Sequence, residues 1–268
     1  MPVGTLGPMS QRAPIRREPP PFRTAFVVSN ERITPRLARI RLTGPELEAL
    51  TIDEPAASVR LLIPTPGDAE LIIPVWNGNE FLRPDGTRPI IRTLTPRSLD
   101  GETLSLEIVL HDDGAMSHWA ASVGGDEGAA ISGMGRGYSI DPTAAGLLLA
   151  GDESAIPAIS QLLEWIAPET DVLVIVEIAD PEGRAPMPSH ARAAVSWVEL
   201  PTGAPPGDAL VDAVESAEIS DGWRVWAAGE AAAMFRIRKH LFDSVGLERK
   251  HATVRGYWKH GRTGPGSD

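Results

Sequence analysis

The hydrophobic pattern of this chain changes once, at Asp141-Pro142, and the change restricts it to two kinds of domain in series. Before that point, short β-type segments cover residues 22–29, 36–42, 59–63, 71–75, 90–94 and 103–110, with Pro, Gly and Asp between them. The last is the most regular. Leu104, Leu106, Ile108 and Leu110 alternate with Thr103, Ser105, Glu107 and Val109, which sends one row of side chains to a core and the other outward. Such a series of short strands predicts an antiparallel β-barrel over residues 22–142. Beyond Pro142, strands over 147–150, 172–178, 195–200, 223–227 and 253–257 alternate with helices over 156–166, 208–218 and 230–242. Leu147-Leu148-Leu149 is apolar on both faces, as a parallel strand covered by helices on each side must be. Residues 143–262 are therefore expected to form an α/β domain with a parallel sheet. Residues 1–21, rich in Pro and Arg and lacking the apolar core of a signal peptide, and residues 263–268 read as flexible tails.

Composition narrows the chemistry. With no cysteine among 268 residues there is no disulfide framework, no thiolate metal site, no protein-ligated iron–sulfur cluster and no cysteine nucleophile. Any redox chemistry must use a borrowed cofactor. His111, His118, His190, His240, His251 and His260 lack the close paired spacing of a zinc or non-haem iron site, so no bound metal is expected. A net charge of −11 argues against nucleic acid as a partner. No stretch approaches about 18 uninterrupted apolar residues, so no membrane span is expected and the cytoplasm is the default location.

Five segments could carry function. Arg92-Thr93-Leu94-Thr95 closes a strand: a guanidinium offers a planar fork to a pyrophosphate, and a nearby hydroxyl can bond a flavin edge, although the same residues also suit a solvated strand end. His111 to Trp119 lies between a strand and a short helix. There Ser117 is expected to cap the helix, and a start preceded by Gly114 presents backbone N–H groups to a phosphate; an ordinary strand-to-helix turn is the alternative. Gly133-Met134-Gly135-Arg136-Gly137 reads as a tight interdomain turn carrying one cation, not as a Rossmann fingerprint. Gly151-Asp152-Glu153-Ser154 follows the first parallel strand, and Gly229-Glu230 follows a later one. Ligands of open α/β sheets bind at such carboxyl ends, which makes these two turns a candidate NAD(P) site. Finally, Arg255-Gly256-Tyr257-Trp258-Lys259-His260 sets two aromatics among cations, suited to a flat or anionic ligand.

In this order, over residues 22–262, the segments resemble the siderophore-interacting proteins, FAD-dependent ferric-siderophore reductases related to ferredoxin–NADP reductases. The family's Arg-x-Tyr-Thr segment matches Arg92, Leu94 and Thr95. Its His-x-x-Gly-Pro-Ala-Ser-x-Trp segment matches His111, Gly114, Ser117 and Trp119, with Ala115 in the same turn. Its Gly-Asp-Glu-Thr-Ala-x-Pro loop matches Gly151 through Pro157, and its Gly-Tyr-Trp ending is intact. The resemblance implies FAD as cofactor, NAD(P)H or ferredoxin as electron donor, a ferric siderophore as substrate, and Arg60, Arg136 and Lys259 lining the siderophore pocket. It implies outer-sphere electron transfer with no catalytic acid or base and no protein ligand to iron. A flavin reductase with another acceptor and a non-enzymatic siderophore-binding protein are the alternative readings. Two departures stand out: Leu94 replaces the family's flavin-stacking tyrosine, a loss of about 0.5–1.5 kcal/mol of aromatic contact, and Met116 replaces a small residue beside the expected phosphate turn. Asp180 and Glu182 suit a ribose hydroxyl whereas Arg184 suits a 2′-phosphate, so cofactor preference stays open.

Overall fold

The computed structural model describes residues 18–111 and 114–261; residues 1–17 of the expected N-terminal tail over 1–21 and the expected C-terminal tail over 263–268, together with Asp112, Asp113 and Arg262, lie outside the described residues. In chain order the first half forms β1 (Phe22–Thr34), β2 (Leu37–Thr43), β3 (Val59–Ile63), β4 (Val75–Trp76), β5 (Phe81–Leu82), β6 (Ile90–Leu94), β7 (Pro96–Asp100), β8 (Thr103–Val109), helix α1 (Ala115–Ser122) and β9 (Gly128–Ser132). Seven of these strands make one antiparallel sheet in the order β6-β3-β9-β1-β2-β8-β7, and β4 pairs with β5. The alternation in β8 is realised in direction but not in exposure: Leu104, Leu106 and Ile108 enter the core, while Ser105 and Glu107 on the other face are buried too, Glu107 accepting from Arg39, its direct cross-strand partner.

The sheet is the expected barrel-like antiparallel arrangement; among the described residues no ladder joins its outermost strands, β6 and β7, which are consecutive in the chain with only Thr95 between them. Pro96, the first residue of β7, has no N–H to donate at that corner. The strand expected over 71–75 is realised only at Val75. Pro74 interrupts it, and Ile72 and Ile73 stay exposed beside a groove described below.

The second half forms β10 (Gly146–Asp152), α2 (Ile156–Trp165), β11 (Asp171–Ile178), β12 (Ala193–Glu199), α3 (Asp208–Glu215), β13 (Trp223–Glu230), α4 (Ala231–Lys239) and β14 (Ala252–Trp258). Its five strands are all parallel in the order β12-β11-β10-β13-β14. Because β10 is apolar on both faces, it feeds two cores. Leu147 and Leu149 pack with Ile159, Leu162 and Trp226 on the α2 side, and Leu148 and Ala150 pack with Leu210, Val214 and Ile237 under α3 and α4.

The α2 side also receives Leu37 and Ala56, so the first domain sits on that face. Polar pins reinforce the contact. Arg36 grips Glu153 through Nε and Nη2 at 2.9 Å each, and the Gln161 side chain accepts from Ala56 N–H and donates to Pro96 O, both at 2.8 Å. Arg97 pairs with Glu164, and Arg224 with Asp141 at the junction. The hydroxyl and N–H of Thr143, and then Arg224, hold the Asp141 carboxyl well below its ordinary 3.8, at about 2. A folded pKa below the unfolded one means that this group's stabilisation is present above 3.8 and is lost as pH falls through about 2. A carboxyl-carbon NMR titration is expected to give an Asp141 midpoint near 2; an ordinary midpoint removes the pin. Among the described residues no helix is long and apolar enough to cross a membrane, and no cluster of three or more His, Asp or Glu is arranged to hold a metal ion.

Candidate functional site

The corner between β6 and β7 is also where the two domains meet. Thr95 is buried there, and its hydroxyl lies 3.4 Å from that of Tyr257 on β14. Burial pushes the Tyr257 phenol up from 10.0, so it stays a neutral donor or acceptor. The ladder pairs Leu94 with Val59 and Arg92 with Leu61, placing Arg92 and Leu94 on the core-side face of β6, while Thr93 and Arg60 share the opposite face. Leu94 packs on the first core, and the Arg92 guanidinium donates to Ile91 O at 2.8 Å.

The N-cap residue of helix α1 is Gly114, whose φ of 101° is a conformation that suits glycine. Ser117 is therefore not the cap. It sits inside the first turn, where its hydroxyl donates to His111 O at 2.6 Å and accepts from His111 N–H at 2.8 Å. That pair of bonds shapes the turn and leaves the start of the helix facing an open groove of about 960 Å³. Gly114, Ala115, Trp119, Phe26, Leu71 and Ile73 line the groove, and Trp119 is fixed in its wall by an Nε1–H bond of 2.8 Å to Glu127. Met116 points away into the first core, so its extra bulk does not reach the turn.

Of the three cations singled out by resemblance, two share a region. The Gly133–Gly137 turn is the tight interdomain connection expected: Gly135 N–H donates to Ser58 O at 2.6 Å, and a Cβ on Gly137 would fall 2.5 Å from that of Glu54. Arg255 on β14 donates to Gly137 O at 2.9 Å, tying the exposed Arg136 to the strand that leads through Tyr257 to the exposed Lys259. Arg60 is not brought to the face of Leu94; it borders a separate cavity with Glu18, Pro19 and Pro20.

The two turns expected to hold a nucleotide do come together, but their polar groups are turned inward. Asp152 and Glu230 are the last residues of their strands and are buried. Asp152 accepts from Ser154 N–H (2.9 Å) and Ser154 Oγ (2.5 Å) on one oxygen, and from Glu230 N–H (2.9 Å) and Trp258 Nε1–H (2.8 Å) on the other. Glu230 caps α4 through Ala232 and Ala233 N–H, and also accepts from His260 N–H. Gly229 is obligatory, because a Cβ there would stand 2.6 Å from the Asp152 carboxylate. Gly151 is equally confined, by Ala155 and Ala228. Glu153 faces the first domain and holds Arg36. Asp180 accepts from Glu182 N–H within its own loop, and Arg184 pairs at the surface with Glu199 at the end of β12.

Sequence reasoning missed Glu177, buried at the end of β11 opposite Asp152, which accepts from Gly207 N–H (2.7 Å) and Leu210 N–H (2.9 Å) at the start of α3. Burial pushes both Asp152 and Glu177 above the ordinary carboxylate range. Its place in the apolar run Val172-Leu173-Val174-Ile175-Val176-Glu177 was the available signal.

Comparison with known proteins agrees with this architecture. The family profile described as a siderophore-interacting FAD-binding domain matches residues 26–136, and that of the siderophore-interacting protein matches residues 144–261. A siderophore utilization protein from T. fusca shares 32% identity over 92% of this chain and 96% of its own, with a TM-score of 0.81. A ferredoxin NADP+ reductase from Neisseria gonorrhoeae shares the fold, with a TM-score of 0.61 at 16% identity over 88% of this chain and 99% of its own. The mycobactin import ATP-binding/permease protein IrtA of Mycolicibacterium smegmatis is 30% identical over 89% of this chain, which spans only 26% of IrtA. Ferric vibriobactin reductase ViuB of Vibrio cholerae is 25% identical over 88% of each chain. With its antiparallel FAD-binding domain followed by a five-stranded parallel α/β domain, the chain belongs to the siderophore-interacting protein family.

Proposed function

We propose that this protein is a cytoplasmic FAD-dependent oxidoreductase that reduces ferric siderophores and so releases ferrous iron, with NAD(P)H or a reduced ferredoxin as electron donor. The observation that carries the reading is the start of α1 at Gly114 opening onto the groove of about 960 Å³, which Gly114, Ala115 and Trp119 line while Arg92, Leu94 and Thr95 stand outside its lining. That arrangement fits FAD. Arg92 would hold the pyrophosphate as a two-pronged donor, with the N–H groups at Gly114 and Ala115 beside it; His111 and Ser117 fix that turn, and Trp119 walls the groove. Leu94 and Thr95 would meet the flavin ring and its chain, Thr95 being oriented by Tyr257. Bound FAD supplies a centre that takes electrons in pairs and releases them singly.

The protein's own part is binding and placement. Arg136 and Lys259 attract an anionic ferric chelate to the interdomain edge despite the acidic whole, and the outward face on which Arg60 stands favours those two for the role. Hard oxygen donors hold ferric iron far more tightly than ferrous, so one electron delivered across a short gap is enough to loosen the metal.

The test is reconstitution with FAD, followed by anaerobic reduction with NADH, NADPH and ferredoxin in turn and transfer to ferric hydroxamate and catecholate chelates, with a ferrous trap as readout. Flavin absorbance together with chelate-dependent reoxidation is expected. A colourless protein after reconstitution would leave only a siderophore-binding role, and reoxidation indifferent to the chelate would leave a flavin reductase for another acceptor. Lys259→Ala is expected to raise KM for an anionic ferric chelate while sparing flavin reduction; the reverse pattern would move Lys259 to the donor side.

A further inference from the structure

Ligands of open parallel sheets bind beyond the carboxyl ends of the strands, where the N–H groups at the start of the following helix receive a pyrophosphate. In this chain each of three adjacent strand ends at that edge carries its own carboxylate, and each carboxylate already accepts from such N–H groups. Asp152 at the end of β10 takes Ser154 N–H, Glu177 at the end of β11 takes Gly207 and Leu210 N–H, and Glu230 at the end of β13 takes Ala232 and Ala233 N–H. The anion positions are thus filled from within, and a second anion brought there would have to displace a side-chain acceptor from those N–H groups.

The C-terminal segment is fastened over the same edge. Trp258 Nε1–H is bonded to Asp152 at 2.8 Å and His260 N–H to Glu230 at 3.1 Å, and the Trp258 and His260 rings meet edge to face at 6.4 Å. A β-bulge at Tyr257 aims this segment: Gly256 pairs with Gly229, but Trp258, not Tyr257, pairs with Glu230.

We propose that Asp152, Glu230 and Trp258 determine donor specificity by closing this edge to pyridine dinucleotides, so that the flavin is served by a donor that does not enter it, such as a one-electron carrier protein. The inference rests on the reductase reading. It assigns the Gly151–Ser154 and Gly229–Glu230 turns to exclusion of the nucleotide rather than to its binding.

The experiment is calorimetric titration of the FAD-loaded full-length protein with NAD+ and NADP+, for the native chain, Trp258→Phe, Trp258→Ala and the double variant Trp258→Ala/Glu230→Gln, with flavin content and thermal midpoint as fold controls. The native chain is expected to show no saturation below millimolar nucleotide, and the double variant to bind at least about tenfold more tightly than the native chain. Trp258→Phe, which loses only the Nε1–H bond to Asp152, should move partway and serves if the alanine variants do not fold. Micromolar binding by the native chain, or affinity unchanged in the variants that fold, overturns the proposal. Chemically reduced FAD-protein mixed with a ferric trihydroxamate tests the reductase reading separately: failure there sinks that reading whatever the titrations give.

Discussion

Trp226→Ala is expected to lower the free energy of unfolding by about 3–5 kcal/mol, a fall in thermal midpoint on the order of 10 °C for a domain of this size. Trp226 is fully buried on the face of the parallel sheet turned toward the first domain, and its ring meets Tyr257 edge-on with centroids 6.4 Å apart. Truncation opens a cavity between the domains and removes the wall against which Tyr257 stands. Flavin retention should therefore weaken along with stability, since Tyr257 orients Thr95. Trp226→Phe separates packing from polarity. The Trp226 Nε1–H is buried with no partner among the described residues, so phenylalanine relieves an unsatisfied donor worth roughly 1–3 kcal/mol while giving up part of the ring's contacts. Denaturant unfolding should place Trp226→Phe much nearer the native chain than Trp226→Ala; equal losses would mean that the ring's full volume, not its polar atom, sets the energetics.

Arg92→Ala is expected to raise the FAD dissociation constant by about ten- to a hundredfold, the loss of charge-assisted hydrogen bonds worth roughly 1.5–3 kcal/mol. Arg92 shares the core-side face of β6 with Leu94 and lies on the strand that α1 approaches. Arg92→Lys should recover only part of the affinity, because an ammonium lacks the planar fork. Equilibrium dialysis with fluorescence detection of released flavin measures both. Unchanged flavin affinity in Arg92→Ala would assign the pyrophosphate to the α1 turn alone.

Strands whose side chains alternate cleanly or whose faces are both apolar were legible in the sequence: β3 and β6 fall on the expected residues, and β8, β10 and β11 lie within one or two positions of them at most ends. What was not legible depends on partners far away in the chain. β9, Gly-Ala-Ala-Ile-Ser, has little β-propensity of its own and exists because β1 and β3 pair with it on either side. β7, Pro-Arg-Ser-Leu-Asp, is a polar edge strand whose one strand partner among the described residues is β8, with α2 gripping Pro96 and Arg97 from the other domain. Gly151-Asp152 and Gly229-Glu230 look like loop residues, yet the parallel ladders carry both strands through them. At the candidate site, the motifs named segments but could not give the direction of their side chains. That Asp152 would turn inward to Trp258, 106 residues on, or that Ser117 would bond back to His111, follows from packing rather than from spacing.

The corner at Thr95 has a further consequence, for how the chain could be cut and rejoined. Both margins of the first sheet belong to one continuous stretch, residues 90–100, so its curvature is maintained covalently through a single buried residue. A new pair of termini opened at Thr95 would free the two margins at once and release the segment that touches Tyr257, whereas the exposed turn at Pro84–Arg88 ties no such margins together. A circular permutant or an inserted reporter domain thus belongs at residues 84–88, where a break leaves both margins of the sheet joined.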